Sequence, residues 1–94
     1  MQVPIHSAES LGQVLRAVRK DSDIRLDVLA QLVGVSKQTA TNLERGQGKL
    51  STVLAFLREL GIEVSVDIPK SALLRLQAKQ QSDPALVDSD SDHA

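Results

Sequence analysis

The feature that most constrains this chain is the spacing of Ala30 and Gly34, which lie four residues apart around the end of the apolar segment LDVLAQLV. Gly34 can adopt positive φ, so a helix over residues 26–33 is expected to end there. Ser36 then supplies a side-chain oxygen that can cap a further helix over residues 37–45, ending before Gly46. The pattern predicts two short helices joined by a sharp bend.

The residue types around this bend are those that a helix-turn-helix requires. Ala30 is small enough for the second helix to cross closely over the first, and Gly34 lets the chain turn sharply. The apolar contact between the two helices is assigned to Leu29, Val33, Val35, Ala40 and Leu43. The spacing alone is moderately specific, and a helix on either side makes the prediction strong.

Both flanking helices are predicted from apolar periodicity. Residues 8–20 follow a possible N-cap at Ser7 and repeat apolar side chains at helical spacing, at Leu11, Val14, Leu15 and Val18. A fourth helix begins at Ser51 or Thr52 and ends at Gly61, with Leu54, Leu57 and Leu60 facing inward. The predicted fold class is therefore mainly α.

After Gly61 the apolar spacing changes from helical to alternating. Four apolar residues, Ile62, Val64, Val66 and Ile68, alternate with polar ones until Pro69 ends the run. This pattern predicts a strand over residues 62–68, but the sequence offers no second strand to pair with it. We therefore predict a homodimer in which the same strand of two copies pairs antiparallel. A strand-like loop that covers the helical core is the alternative.

The remaining residues divide into a short apolar segment and an acidic end. Residues 69–81 are predicted to form a short C-terminal helix or extension, with a helix at about 72–80 that carries Leu73, Leu74 and Leu76. Residues 82–94 are polar and acidic, which predicts a disordered tail. The folded domain, including its dimerising strand, is therefore expected to span residues 1–68.

The helix over residues 37–45 presents amide and basic side chains on the side opposite Ala40 and Leu43. In a helix-turn-helix this face enters the major groove, where Gln or Asn can pair with adenine and Lys can donate to guanine. The predicted base-contacting residues are Ser36, Lys37, Gln38, Thr41 and Asn42. A solvated polar face is the alternative, which the Ala30–Gly34 spacing makes the weaker one.

Composition and charge exclude several other classes of function. The net charge is −1, yet residues 1–60 carry eight basic and six acidic side chains, whereas residues 61–94 carry three and six. Phe56 is the only aromatic residue, which argues against a platform for single-stranded nucleic acid. Without cysteine and with two distant histidines, no metal site or thiol nucleophile is expected. We expect no enzymatic activity and no cofactor.

The absence of a long apolar run and of a secretory signal favours a cytoplasmic location, associated with the nucleoid when the protein is bound to DNA.

Three stretches resemble the lambda-repressor-like (Cro/C1-type, XRE) helix-turn-helix family: LGQVLRAVRK, LAQLVGVSKQTATNLERG and LSTVLAFLRELGI, within residues 11–62. The resemblance implies a four-to-five-helix domain that binds double-stranded DNA as a transcriptional repressor. It also implies a structural ion pair between Arg19 and Glu44. Phosphate contacts are expected from Arg25, Arg45, Gln47 and Lys49. Family members usually open the second helix with a Thr or Asn cap followed by Gln, where this chain has Arg25 and Leu26.

A strand directly after the fourth helix, followed by a tail, is similar to the HipB-type antitoxins within this family. That resemblance implies a dimer that binds palindromic operators, represses its own operon and binds a HipA-type serine/threonine kinase toxin. Leu73, Leu74 and Leu76 would contact the toxin or pack on their own dimer. The alternatives are a stand-alone phage-type or metabolic repressor, or a protein-binding adaptor that has lost its DNA contact.

Overall fold

The computed structural model describes residues 1–82, which form five helices and no strand. They are α1 (Ala8–Asp21), α2 (Leu26–Val33), α3 (Lys37–Glu44), α4 (Leu50–Glu59) and α5 (Lys70–Ser82). The chain divides into two compact units, one over residues 1–64 with α1 to α4 and one from Ser65 onward with α5. The predicted mainly helical fold is confirmed. Within the described residues, no helix is long and apolar enough to cross a membrane.

Helix α1 begins with a reciprocal cap. The Ser7 hydroxyl oxygen accepts a hydrogen bond from the Ser10 amide at 3.0 Å, and the Ser10 hydroxyl oxygen accepts one from the Ser7 amide at 3.1 Å. These two bonds satisfy amides that have no partner inside the helix. Glu9 in the first turn and the basic Arg19 and Lys20 in the last turn complement the helix dipole. The predicted helix over residues 8–20 is therefore present, one residue longer.

The bend between α2 and α3 has the predicted geometry. Gly34 adopts φ 89° and ψ 32°, and the amides of Gly34 and Val35 both donate to the Ala30 carbonyl oxygen at 2.9 Å. These bonds close the end of α2 in the manner of a left-handed cap. The Ser36 hydroxyl oxygen then accepts the Thr39 amide at 3.1 Å and starts α3. Helix α2 has the predicted bounds, and α3 ends one residue before its predicted end.

The core of the N-terminal unit lies between α1, α2, α3 and α4. Its buried apolar side chains are Leu15, Leu29, Ala30, Ala40, Leu43, Phe56 and Leu57. Ala30 on α2 and Ala40 on α3 are both at most 2% exposed, which is what allows these helices to pack closely. Helices α2 and α3 therefore pack directly on each other, as a helix-turn-helix requires.

The prediction that Leu54 of α4 faces inward is wrong. Leu54 is 43% exposed, whereas Phe56 is fully buried and Leu57 nearly so. Val53, Phe56, Leu57 and Leu60 share the inner face, because they recur at spacings of three and four residues. Helix α4 also begins at Leu50, ahead of the Ser51 or Thr52 predicted from their side chains.

The strand predicted for residues 62–68 is absent, since residues 62–69 have no regular secondary structure. A strand requires a backbone partner, and the described chain offers none. Ile62 packs against the core, but Val64, Val66 and Ile68 are exposed.

The C-terminal unit is a helix without a buried face among its described side chains. Every side chain from Glu63 to Lys79 is exposed. Helix α5 begins directly after Pro69, whose carbonyl oxygen accepts the Leu73 amide at 3.0 Å, so the helix starts before the predicted residue 72. Apart from Ser82, which ends α5, the predicted disordered tail lies outside the described residues.

Candidate nucleic-acid interface

Helix α3 presents a polar face on the side opposite its buried residues. Ala40 and Leu43 are buried, whereas Lys37 and Gln38 are exposed and Asn42 is half-buried. The Gln38 side-chain amide donates to the Asn42 side-chain oxygen at 3.1 Å. This bond leaves the Gln38 oxygen as an acceptor and the Asn42 amide group as a donor. An adenine edge in the major groove offers the complementary donor and acceptor.

Two hydroxyl groups predicted to contact bases have partners inside α3. The Thr41 hydroxyl donates to the Lys37 carbonyl oxygen at 3.0 Å, which leaves its oxygen as an acceptor and its methyl group for apolar contact. The Ser36 hydroxyl donates to the Thr39 hydroxyl oxygen at 3.0 Å while it accepts the Thr39 amide. Because its single proton is used locally, the clearest role of Ser36 is to cap α3, and its base contact stays a prediction.

The C-terminal end of α3 is tied to α1 by an ion pair. Arg19 donates to the two Glu44 carboxylate oxygens at 2.6 and 3.2 Å, and it also donates to the Ile24 carbonyl oxygen at 2.9 Å. The two side chains are only 11% and 9% exposed. The bidentate geometry satisfies both partners, so this pair positions α3 and is not available to DNA.

Three of the four predicted phosphate contacts lie at helix ends. Arg25 and Lys49 are the N-cap residues of α2 and α4, and neither helix has a side-chain cap. Arg45 is the exposed C-cap residue of α3. The Arg25 guanidinium donates to the Asp27 carboxylate at 2.7 Å, and the other Asp27 oxygen accepts the Val28 amide at 3.0 Å. The remaining amides at both N-termini lack side-chain acceptors.

A shallow concavity of about 360 Å³ brings part of the polar face of α3 together with the loop that follows it. It is lined by Val35, Thr39, Asn42, Gln47, Gly48, Lys49 and Thr52. Asn42, Gln47 and Lys49 were predicted from the sequence, whereas Thr39 and Thr52 were missed. The signal for Thr52 is its place in the first turn of an uncapped helix, where backbone amides point toward a ligand. Among the described residues, no group of acidic and histidine side chains could hold a metal ion.

Comparison with known proteins agrees with this geometry. A family model described as a helix-turn-helix domain matches residues 10–65, more than half of the chain. The chain is also 31% identical over 67 residues to y4mF of Sinorhizobium fredii (strain NBRC 101917 / NGR234), named as an uncharacterised HTH-type transcriptional regulator. That match covers 69% of this chain and 88% of the relative. This chain therefore belongs to the XRE-like helix-turn-helix family of transcriptional regulators.

Proposed function

We propose that this protein is a transcriptional repressor that reads double-stranded DNA in the major groove with α3. The observation that carries the proposal is the hydrogen-bonded amide pair of exposed Gln38 and half-buried Asn42, next to exposed Lys37 on a helix with fixed ends. An α-helix with its side chains is about 10–12 Å in diameter, which fits the major groove, about 12 Å wide. In this role Lys37, Gln38, Thr41 and Asn42 specify the sequence.

The uncapped ends of α2 and α4 support phosphate contacts around this face. A cation at an N-cap position is unfavourable for the isolated helix because the N-terminus carries partial positive charge. Helices α1 and α3 have serine at that position, whereas α2 and α4 have Arg25 and Lys49. A phosphate at either helix end would accept hydrogen bonds from the free backbone amides and would also pair with the cationic side chain at the N-cap position. Arg45 and Gln47 would add contacts that fix the register.

The proposed repressor acts as a homodimer on a palindromic operator. Val64 and Val66 are 57% and 77% exposed and follow Ile62, which packs on the core. Antiparallel pairing of residues 62–68 between two copies would give their backbone groups partners and cover the valines. Two copies of α3 would then contact successive major grooves about 34 Å apart.

A second candidate function is an antitoxin whose partner is a HipA-type serine/threonine kinase. The observation that favours it is the exposure of three leucines on α5, Leu73, Leu74 and Leu76, at 40%, 56% and 44%. Large apolar side chains left exposed on a helix are candidates for a contact with another protein. Co-purification of the full chain with the product of the adjacent gene tests this candidate. A kinase that binds supports the antitoxin, and an adjacent gene of another kind favours a stand-alone repressor. In either case we propose that the chain is not an enzyme and needs no cofactor.

The DNA proposal is tested by titrating the full chain against duplex DNA from upstream of its own gene. We expect sub-micromolar binding to a palindrome, and the logarithm of affinity should fall steeply as salt rises. Gln38→Ala should lose about 1–3 kcal/mol of binding free energy on that palindrome and little on a random duplex. Gln13→Ala, which removes an exposed amide from α1, is the control and should bind both DNAs as the wild type does. Equal losses for Gln38→Ala on both DNAs would contradict base recognition.

The dimer is tested separately by light scattering. Val64→Asp should give monomers and a large loss of operator affinity, because it places a charge in the proposed apolar contact. Ser65→Asp adds the same charge on the alternate side of the segment and should remain dimeric. A Val64→Asp protein that stays dimeric would rule out pairing through this segment.

A further inference from the structure

The backbone of α3 approaches α1 closely at Gly12. Gly12 is buried, and a β-carbon placed there would lie 2.5 Å from the Glu44 carbonyl oxygen and 2.8 Å from that of Leu43. Carbon and oxygen atoms in weak contact are normally about 3.3–3.6 Å apart. The neighbouring atoms belong to backbone, which cannot rotate away as a side chain can. Any side chain at position 12 therefore has to push the C-terminal end of α3 away from α1.

A second close approach lies one turn along α1. A β-carbon at Gly46, the residue that follows the C-cap of α3, would lie 2.7 Å from the Glu9 amide nitrogen and 2.8 Å from the Ala8 carbonyl carbon. No side chain separates α1 from the end of α3 at either glycine. Here α1 and the end of α3 are in direct backbone contact.

The ion pair completes this contact on the same side of α1. Gly12, Leu15 and Arg19 are the buried residues of α1, and their spacing of three and four residues places them on one face. Gly12 allows the backbone of α3 to approach α1 closely, while Arg19 holds Glu44 at 2.6 Å. The position of the C-terminal end of α3 is thus set from two points about two turns apart.

We propose that Gly12 is a positioning residue for sequence specificity: the absence of a side chain there fixes the angle at which α3 enters the major groove. This inference rests on the proposed function of α3. To restore a normal contact distance to a β-carbon at position 12, the Glu44 end of α3 would have to move by about 1 Å. Good hydrogen bonds have lengths of about 2.7–3.2 Å, so a shift of that size breaks one. Asn42 lies near that end, so its base contact is lost first. Long cationic side chains can follow phosphates over the same distance, so binding to random DNA is retained.

The test compares Gly12→Ala with the wild type in the full chain. Affinity for the operator and for random duplex is measured by fluorescence anisotropy at one salt concentration. We expect a loss of about 10- to 100-fold on the operator, as for a lost base contact, and a change below about 3-fold on random DNA. Leu60→Ala is the control, because it removes methyl groups from the core side of α4 outside the cavity that Gly12 lines, without adding an atom between α1 and α3. Its ratio of operator to random affinity should stay within about 2-fold of the wild type.

A measurement without DNA keeps the inference separate from the proposed function. Outside α1 itself, the amide chemical shifts of free Gly12→Ala should change most at the C-terminal end of α3, near Glu44. If Gly12→Ala does not fold, Glu44→Asp reports on the same contact, because it shortens the side chain that Arg19 holds and should lower the affinity ratio as well. An unchanged ratio in a folded Gly12→Ala or Glu44→Asp protein overturns the inference. A wild-type protein that binds the operator no more tightly than random duplex overturns the proposed function, and with it the role of Gly12 in sequence specificity. The chemical shifts then decide only whether Gly12 sets the position of α3.

Discussion

The two units of this chain contain similar apolar side chains but use them differently. In the N-terminal unit, Leu15, Leu29, Leu43 and Phe56 are almost completely buried. In the C-terminal unit, every described side chain is exposed, and the three leucines of α5 are 40% to 56% exposed. The leucines of α1 recur on one helical face, whereas Leu73, Leu74 and Leu76 are spread around α5. The spacing of apolar residues, and not their number, therefore determines which segment acquires a core.

Helix formation itself does not depend on that core. The sequence of α5, KSALLRLQAKQQS, consists largely of residues with high helix propensity, such as alanine, leucine, lysine and glutamine. Such a segment can be helical without a buried face. In contrast, α2 and α3 are only eight residues each, which is too short for a stable isolated helix. Those two helices depend on Gly34, Ser36 and the packing of Ala30 against α3.

The largest expected effect tests this contrast at single apolar side chains. Phe56→Ala should lower the free energy of unfolding by about 3–5 kcal/mol, because it leaves a cavity at a fully buried site. Leu74→Ala removes a large apolar side chain from α5 and should change the free energy of unfolding by about 0.5 kcal/mol or less. Urea denaturation followed by circular dichroism measures both variants. A Leu74→Ala protein destabilised as much as Phe56→Ala would show that α5 is part of the folding core.

The next effect extends the contrast from apolar to charged side chains inside the N-terminal unit. Arg19–Glu44 and Arg25–Asp27 have similar lengths, 2.6 and 2.7 Å, but the second pair is 79% and 41% exposed. Glu44→Ala should cost about 3–5 kcal/mol, because it leaves Arg19 buried without its partner. Asp27→Ala should cost about 0.5–1 kcal/mol, since its pair is screened by water. Thermal denaturation at two salt concentrations checks this, and equal losses would mean that burial does not determine the strength of these pairs.

The N-terminal unit was the more predictable of the two because its signals are local. The end of α2, the bend and the start of α3 follow from Gly34 and the Ser36 cap within a few residues, and the polar face of α3 follows from helical periodicity. The register of α4 was partly wrong, with Leu54 predicted inward instead of Phe56, because several apolar residues compete for one face. The predicted strand over residues 62–68 does not form in the single chain for another reason. Its alternation is present in the sequence, but strand formation needs a backbone partner that one chain does not supply.

The candidate interface was predictable in its residues but not in its internal bonds. Lys37, Gln38 and Asn42 can be assigned from periodicity alone, because that requires only the position of Ala40 and Leu43. The bond between Gln38 and Asn42 could be anticipated from their spacing of four residues, although their orientation could not. The contact at Gly12 depends on how α1 packs on α3, which involves residues more than 30 positions apart. Local sequence patterns do not encode that distance.

The smallest expected effect concerns a position where the N-terminal unit is not optimised for stability. Lys49 is the N-cap of α4 with φ −77° and ψ 145°, a conformation in which serine could cap the helix. Lys49→Ser should therefore raise the free energy of unfolding by about 0.5–1 kcal/mol, since it adds an acceptor and removes a cation from the helix N-terminus. The same change should weaken DNA binding and reduce the slope of log affinity against log salt by about 0.9, because one phosphate contact is lost. Urea denaturation and salt titration of the variant measure the two quantities. A variant that is more stable and binds DNA with an unchanged salt slope would show that Lys49 does not contact phosphate, and that the cation at this helix end serves neither stability nor DNA binding.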